Sequence, residues 1–187
     1  MTTICFIHGL GATKNCFMFL EQELGHPARI AYDSGAALHR SISEVSRQLP
    51  PGPLILIGQS LGGLIAAHIA LDKTHDVQKL ITISSPLGGS KAARYLKYFM
   101  PTFPIMQDIV PASHYIKRLQ LAPKPCPVLS IISTDGGFPI LGEPNDGTVE
   151  IASMKAIQYA KKVEIKANHF EVLLKSKTVD AIREFIA

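Results

Sequence analysis

The sequence predicts an α/β fold, with about six mostly parallel strands and helices on both faces. Three observations carry this expectation. Apolar runs of strand length recur along the chain, as at 54–57 and 128–133. Longer amphipathic stretches of helical character separate them. The strand runs are apolar throughout rather than alternating, which marks strands covered on both faces, as in parallel sheets.

The elements follow in order. Residues 4–7, Ile-Cys-Phe-Ile, are a first strand. Residues 14–24 are expected as a helix, stopped by Gly25 and Pro27. A short strand covers 28–32 and a helix 38–49, closed by the turn Pro50-Pro51-Gly52-Pro53. The central strand is 54–57, followed by a helix over 61–71. Strands follow at 78–83 and 128–133, a short helix at 153–159, an alternating strand at 162–166 and a last helix at 175–186. Right-handed crossovers are the default for such parallel units. The segment 86–127 breaks the rhythm with seven prolines and a set of large apolar residues, among them Tyr95, Tyr98, Phe99, Met100, Phe103 and Met106. It leaves one core strand and returns to another. It is therefore an excursion over the carboxyl edge of the sheet, serving as a small cap or completing the core.

A chain of 187 residues suits one domain, 1–187, with a proper core. Hydrophobic content of 47% and charged content of 18% are those of a globular protein. No apolar run reaches the roughly 18–20 residues of a membrane span, so no integral membrane contact is expected. The N-terminal residues form a strand rather than a basic, cleavable leader, and the expected location is cytoplasmic. Cys5, Cys16 and Cys126 have neither an even count nor metal spacing and are expected as free thiols. The net charge of +4 comes from scattered lysines and arginines, with mild clusters at 91–97 and at Lys161-Lys162. No nucleic-acid module accompanies them, so a solvated basic surface is expected, not a nucleic-acid partner. Gly9-Leu10-Gly11 lacks the third glycine of a dinucleotide loop, and no metal site or cofactor is expected. Nothing in the sequence sets an oligomeric state.

The chemistry gathers around Gly58-Gln59-Ser60-Leu61-Gly62, which joins the central strand to its helix. A serine hydroxyl is a weak nucleophile and must stand clear of the sheet where a base can reach it. A tight strand–turn–helix does this, and the flanking glycines permit the close approach of strand and helix. Three further segments converge on Ser60. In His8-Gly9-Leu10-Gly11, the Leu10 N–H is placed to pair with that of Leu61 and hold a developing oxyanion. His8 itself is expected to be structural. His169 follows the last strand and is expected to be the base, and the order serine, acid, histidine fits this elbow. His26, His39, His68, His75 and His114 are expected as surface or packing residues. Two aspartates compete for the acid, Asp135 and Asp146, both in Asp-Gly turn pairs.

These segments, with Ser85-Pro86-Leu87-Gly88-Gly89-Ser90 and Asp146-Gly147-Thr148-Val149, resemble the α/β-hydrolase family, especially its small lipase and esterase branch. The resemblance covers the whole chain, starting at the third strand of larger members. It implies Ser60 as nucleophile, an oxyanion donor in the His-Gly segment and an acid in a late Asp-x-x-Val segment. That favours Asp146, with Asp135 as the alternative. The chain departs at Ser85, where small lipases often have threonine, and in its longer 86–127 excursion. The implied activity is hydrolysis of a small-molecule carboxylic ester with an apolar acyl part, through an acyl-enzyme on Ser60. Acyl-thioester hydrolysis or acyl transfer on the same groups is the alternative, and a non-catalytic binding protein on this scaffold is a third.

Overall fold

Each buried strand feeds both faces of one sheet because its side chains alternate. In β3 (Pro53–Gln59), Leu54 and Leu56 enter one apolar cluster while Ile55 and Ile57 enter the other. The same alternation splits β1 (Thr3–Ile7), with Cys5 and Ile7 on the first face and Phe6 on the second. The computed structural model describes residues 2–25, 27–99, 102–137 and 142–187. His26 and Met100, both read from the sequence above, lie outside the described residues.

The sheet has six strands, all parallel, in the order β2-β1-β3-β4-β5-β6. The others are β2 (Ala28–Ile30), β4 (Asp76–Ile83), β5 (Val128–Ser133) and β6 (Lys161–Ile165). The first face is covered by α2 (Leu38–Gln48) and α3 (Leu61–Asp72), the second by α1 (Met18–Leu24) and α8 (Ser176–Ile186). The helix expected over 14–24 begins with a 3₁₀ turn, Lys14–Phe17, capped by Thr13. The expected helix at 153–159 is only one turn, α7 (Ile151–Met154). The chain must leave it to bury Ile157 and Ala160 and enter β6. No helix among the described residues is long and apolar enough to cross a membrane.

Among the described residues the excursion forms three short helices, α4 (Ala93–Phe99), α5 (Ile105–Asp108) and α6 (His114–Leu121). It both caps and completes the core. Ile105, Met106, Ile109, Ile116 and Leu119 join the first-face cluster. Tyr95 and Tyr98 remain 67% and 74% exposed on α4.

His68 lies in α3 under α6, fully buried, with neither ring nitrogen hydrogen-bonded. The Tyr115 ring meets it edge-on at 5.6 Å. Burial, then Arg118 and His114, outweigh the attraction of Asp72 and lower its pKa from 6.5 to about 4. The folded protein thus holds this ring neutral where the unfolded chain takes up a proton. Stability is fully present above pH 6.5 and falls as pH drops toward 4, by about 3 kcal/mol over the window. His68→Leu should flatten that slope, raising the urea midpoint at pH 5 relative to the parent protein.

Candidate active site

The strand order places a crevice between β1 and β3. From β1 the chain runs outward to β2, and from β3 it runs the opposite way to β4. Adjacent strands with connections in opposite senses leave an opening beyond their carboxyl ends, where ligands of open α/β sheets bind. The loops leaving these two strands carry His8–Ala12 and Ser60.

Ser60 sits between β3 and α3 with φ 53° and ψ −121°, a region L-residues seldom occupy. Its N–H donates to the Ile83 carbonyl at 2.8 Å, tying the turn to β4. The turn is this sharp because no side chain stands inside it. A Cβ on Gly62 would overlap the Ile7 carbonyl oxygen and lie 2.6 Å from that of His8. Gly62→Ala is therefore expected to destabilise the fold by about 3 kcal/mol, read from the urea midpoint. Gly9 meets the same limit from the other loop, where a Cβ would lie 2.5 Å from Gln59 Oε1 and 2.9 Å from Ser60 Cβ.

His169 is buried in the turn after β6, and its Nδ1 lies 2.7 Å from Asp146 Oδ2. A carboxylate only accepts, so Nδ1 carries the proton of this bond, and a neutral imidazole so held has its lone pair on Nε2. The His169 N–H also donates to the Asp146 carbonyl at 3.0 Å, and Gln59 Nε2 donates to the His169 carbonyl at 3.3 Å. Asp146 is fully buried. Its Oδ1 accepts from the N–H groups of Thr148 at 3.0 Å and Val149 at 2.8 Å. Its Oδ2 accepts from Ser133 Oγ as well as from His169. Because the Ser133 proton is committed to Asp146, Ser84 donates to Ser133 Oγ, at 2.6 Å. Burial alone raises a carboxyl pKa; here the bonds from His169, Ser133 and Val149 outweigh it and hold Asp146 below its ordinary value.

Ser60, His169, Leu10 and Leu61 line one open pocket of about 140 Å³, with Met106 and Ile109 of the excursion in its wall. A hydroxyl beside an imidazole that is oriented by a buried carboxylate has the parts needed for nucleophilic acyl chemistry. Phe170 stands at the mouth, 63% exposed, its ring edge-on to His169 at 5.2 Å.

Of the two competing aspartates, only Asp146 contacts His169 among the described residues. Asp135 is exposed, its N–H bonded to the Ala167 carbonyl at 3.0 Å. The glycine after it, Gly136, packs directly on the Asp146 backbone, so the first Asp-Gly pair shapes the seat of the second. His8 is held in its loop, Nδ1 2.9 Å from the Gly9 carbonyl, with its ring stacked on Tyr32. Burial lowers its pKa. His39 and His114 are exposed, and His75 pairs with Ser46 Oγ at 2.7 Å. Cys5, Cys16 and Cys126 are free thiols, each raised to about 11 by burial. Sequence reasoning missed Ser84, Ser133 and Gln59. The available signal was a polar residue at or just past the carboxyl end of an otherwise apolar strand.

Residues 25–118, half of the chain, match the profile of the alpha/beta hydrolase fold. A pimeloyl-[acyl-carrier protein] methyl ester esterase of Vibrio vulnificus is 40% identical over 102 residues, covering 49% of this chain and 40% of that protein. A second strain's enzyme of the same name is 40% identical over 68 residues, 27% of its length. The matches thus span less than half the length of these curated relatives. Among solved structures, a lipase-esterase related protein from Clostridium acetobutylicum superposes with TM-score 0.70 at 17% identity. That match covers 98% of this chain and 94% of the other. The mature lipase of Bacillus licheniformis gives 0.74 at 17% identity, covering 98% and 90%. At such identity the likeness shows the fold. Sheet order, elbow and profile agree, and the chain belongs to the alpha/beta hydrolase fold family.

Proposed function

We propose that this chain is a serine hydrolase of carboxylic esters, acting through an acyl-enzyme on Ser60. One juxtaposition carries the reading: Ser60 and His169 share a cavity, and Asp146 bonds the far side of the His169 ring. Ser60 Oγ attacks the acyl carbon while His169 Nε2 takes its proton. The carbonyl oxygen becomes an oxyanion held by the N–H groups of Leu10 and Leu61. The carbon–oxygen bond to the alcohol then breaks, and His169 returns the proton to the leaving oxygen. Water, deprotonated by His169, cleaves the acyl-enzyme and restores Ser60. Asp146 stabilises the imidazolium at both stages.

A fluorophosphonate probe tests this directly. Intact-mass analysis should show one adduct, located by peptide mapping on Ser60, and folded Ser60→Ala should show none. A folded protein that takes no adduct would support the non-catalytic alternative. A second reading has its own support, since the curated relatives bear the name of an esterase whose acyl group is carried on acyl-carrier protein. By that reading this chain takes a carrier-bound acyl substrate, including thioesters or acyl transfer. It predicts faster turnover of carrier-bound acyl groups than of the same free methyl esters or free thioesters.

A further inference from the structure

The excursion does more than line the pocket beside Ser60. Its contribution to the wall includes Ala93, Met106 and Ile109. These three are 1%, 3% and 8% exposed and belong to the first-face core cluster. Hydrogen bonds pin the backbone around them. The Ser90 N–H donates to the Ile109 carbonyl at 2.7 Å, and Ala93 N–H to Ser90 Oγ at 3.3 Å. From outside, Asp108 Oδ2 accepts from the Leu38 N–H at 2.8 Å, which fastens α5 to the start of α2. A wall that is also core cannot retreat without opening the core, so on this side the space beside Ser60 has a fixed limit.

We propose that this wall measures the acyl chain: the site accepts acyl groups of up to about six carbons, and Met106, with Ala93 and Ile109, sets the limit. This rests on Ser60 being the nucleophile. The size follows from the volume. An aliphatic cavity of roughly 150 Å³ takes up a benzene-sized molecule, and the one beside Ser60 is about 140 Å³. Within that length each added methylene leaves water for an apolar wall, which raises kcat/KM about fourfold. Beyond it the chain meets Met106. An acyl group tethered to a carrier at the end away from the scissile ester would meet the same wall, so the limit weighs against that attachment and leaves a carrier on the leaving-group side untouched.

The test uses the whole protein with two matched series, p-nitrophenyl esters and p-nitrophenyl alkylphosphonates, both from two to twelve carbons. Ester turnover reports kcat/KM, and the phosphonates report the rate of covalent labelling at Ser60. The expected maximum is at hexanoyl or shorter in both series. Met106→Ala removes three atoms from the wall and should move the maximum two or three carbons longer. Ala93→Leu adds three atoms and should move it shorter. If the core rejects one variant, the other and the parent profile still decide. A parent maximum at octanoyl or longer overturns the proposal, as do folded variants whose profiles do not move. A folded protein labelled nowhere removes the nucleophile reading and the limit with it. A labelled protein with the wrong chain length removes only the limit.

Discussion

Ser60→Ala is expected to lower kcat for a short p-nitrophenyl ester by about 10⁶-fold without unfolding the protein. Removing the nucleophile of a comparable serine–histidine–aspartate enzyme has an effect of this size. On the proposed roles, what survives is the pull of the Leu10 and Leu61 N–H groups on the carbonyl oxygen, with no covalent path. The fold should tolerate the change because alanine keeps the Cβ and the backbone bond from residue 60 to the Ile83 carbonyl. The strain at φ 53° stays as well. Ser60→Gly relieves it and should raise stability by about 1 kcal/mol while being equally inactive. Equal inactivity, with stability unchanged in one variant and raised in the other, separates loss of chemistry from loss of fold. Ester turnover that persists in Ser60→Ala sinks the assignment.

Asp146→Asn should cost about 10⁴-fold in kcat, and Asp135→Asn almost nothing. An amide at position 146 offers an N–H to His169 Nδ1 and so moves the ring proton to Nε2, where it blocks proton acceptance from Ser60. Asp135 is exposed, and a surface change of this kind stays within about twofold. Stability gives an independent reading. The folded Asp146 carboxyl titrates below its ordinary range, so its contribution is present at neutral pH and lost as pH falls through the folded value. Asp146→Asn removes that dependence and leaves the Ser133 hydroxyl facing an amide. Its acid limb in a urea-midpoint series should therefore be shallower than the parent's. If Asp135→Asn instead abolished turnover in a folded protein, the acid would have to be reassigned.

The strand ladder was legible because the central strands, β3 and β5 above all, are apolar on both sides, a pattern few other environments select. The elbow and the late histidine were legible because the turn and the chain order are local properties. Asp146 against Asp135 was not, since both sit in the same turn chemistry and only tertiary packing buries one of them beside His169. The serines behind the acid were hidden for a related reason. Ser84 and Ser133 lie beside neighbouring strands in the sheet but 49 positions apart in the chain. The double use of the excursion was invisible because an apolar side chain has the same signature in a core and in a pocket wall.

The parts of this site are made at very different times. Gln59, next to the serine, is 110 positions ahead of His169. At ribosomal speeds of about 5–20 residues per second, that separation is about 5–20 s of synthesis. On the proposed roles, the growing chain through that interval has the hydroxyl without its base, and hence no hydrolytic power. His169, which follows β6 and bonds Asp146, is made after Ser60 and Asp146, so on the proposed roles the base is the last part to be supplied. On the proposed roles, a chain released before residue 169 has no hydrolytic power at Ser60.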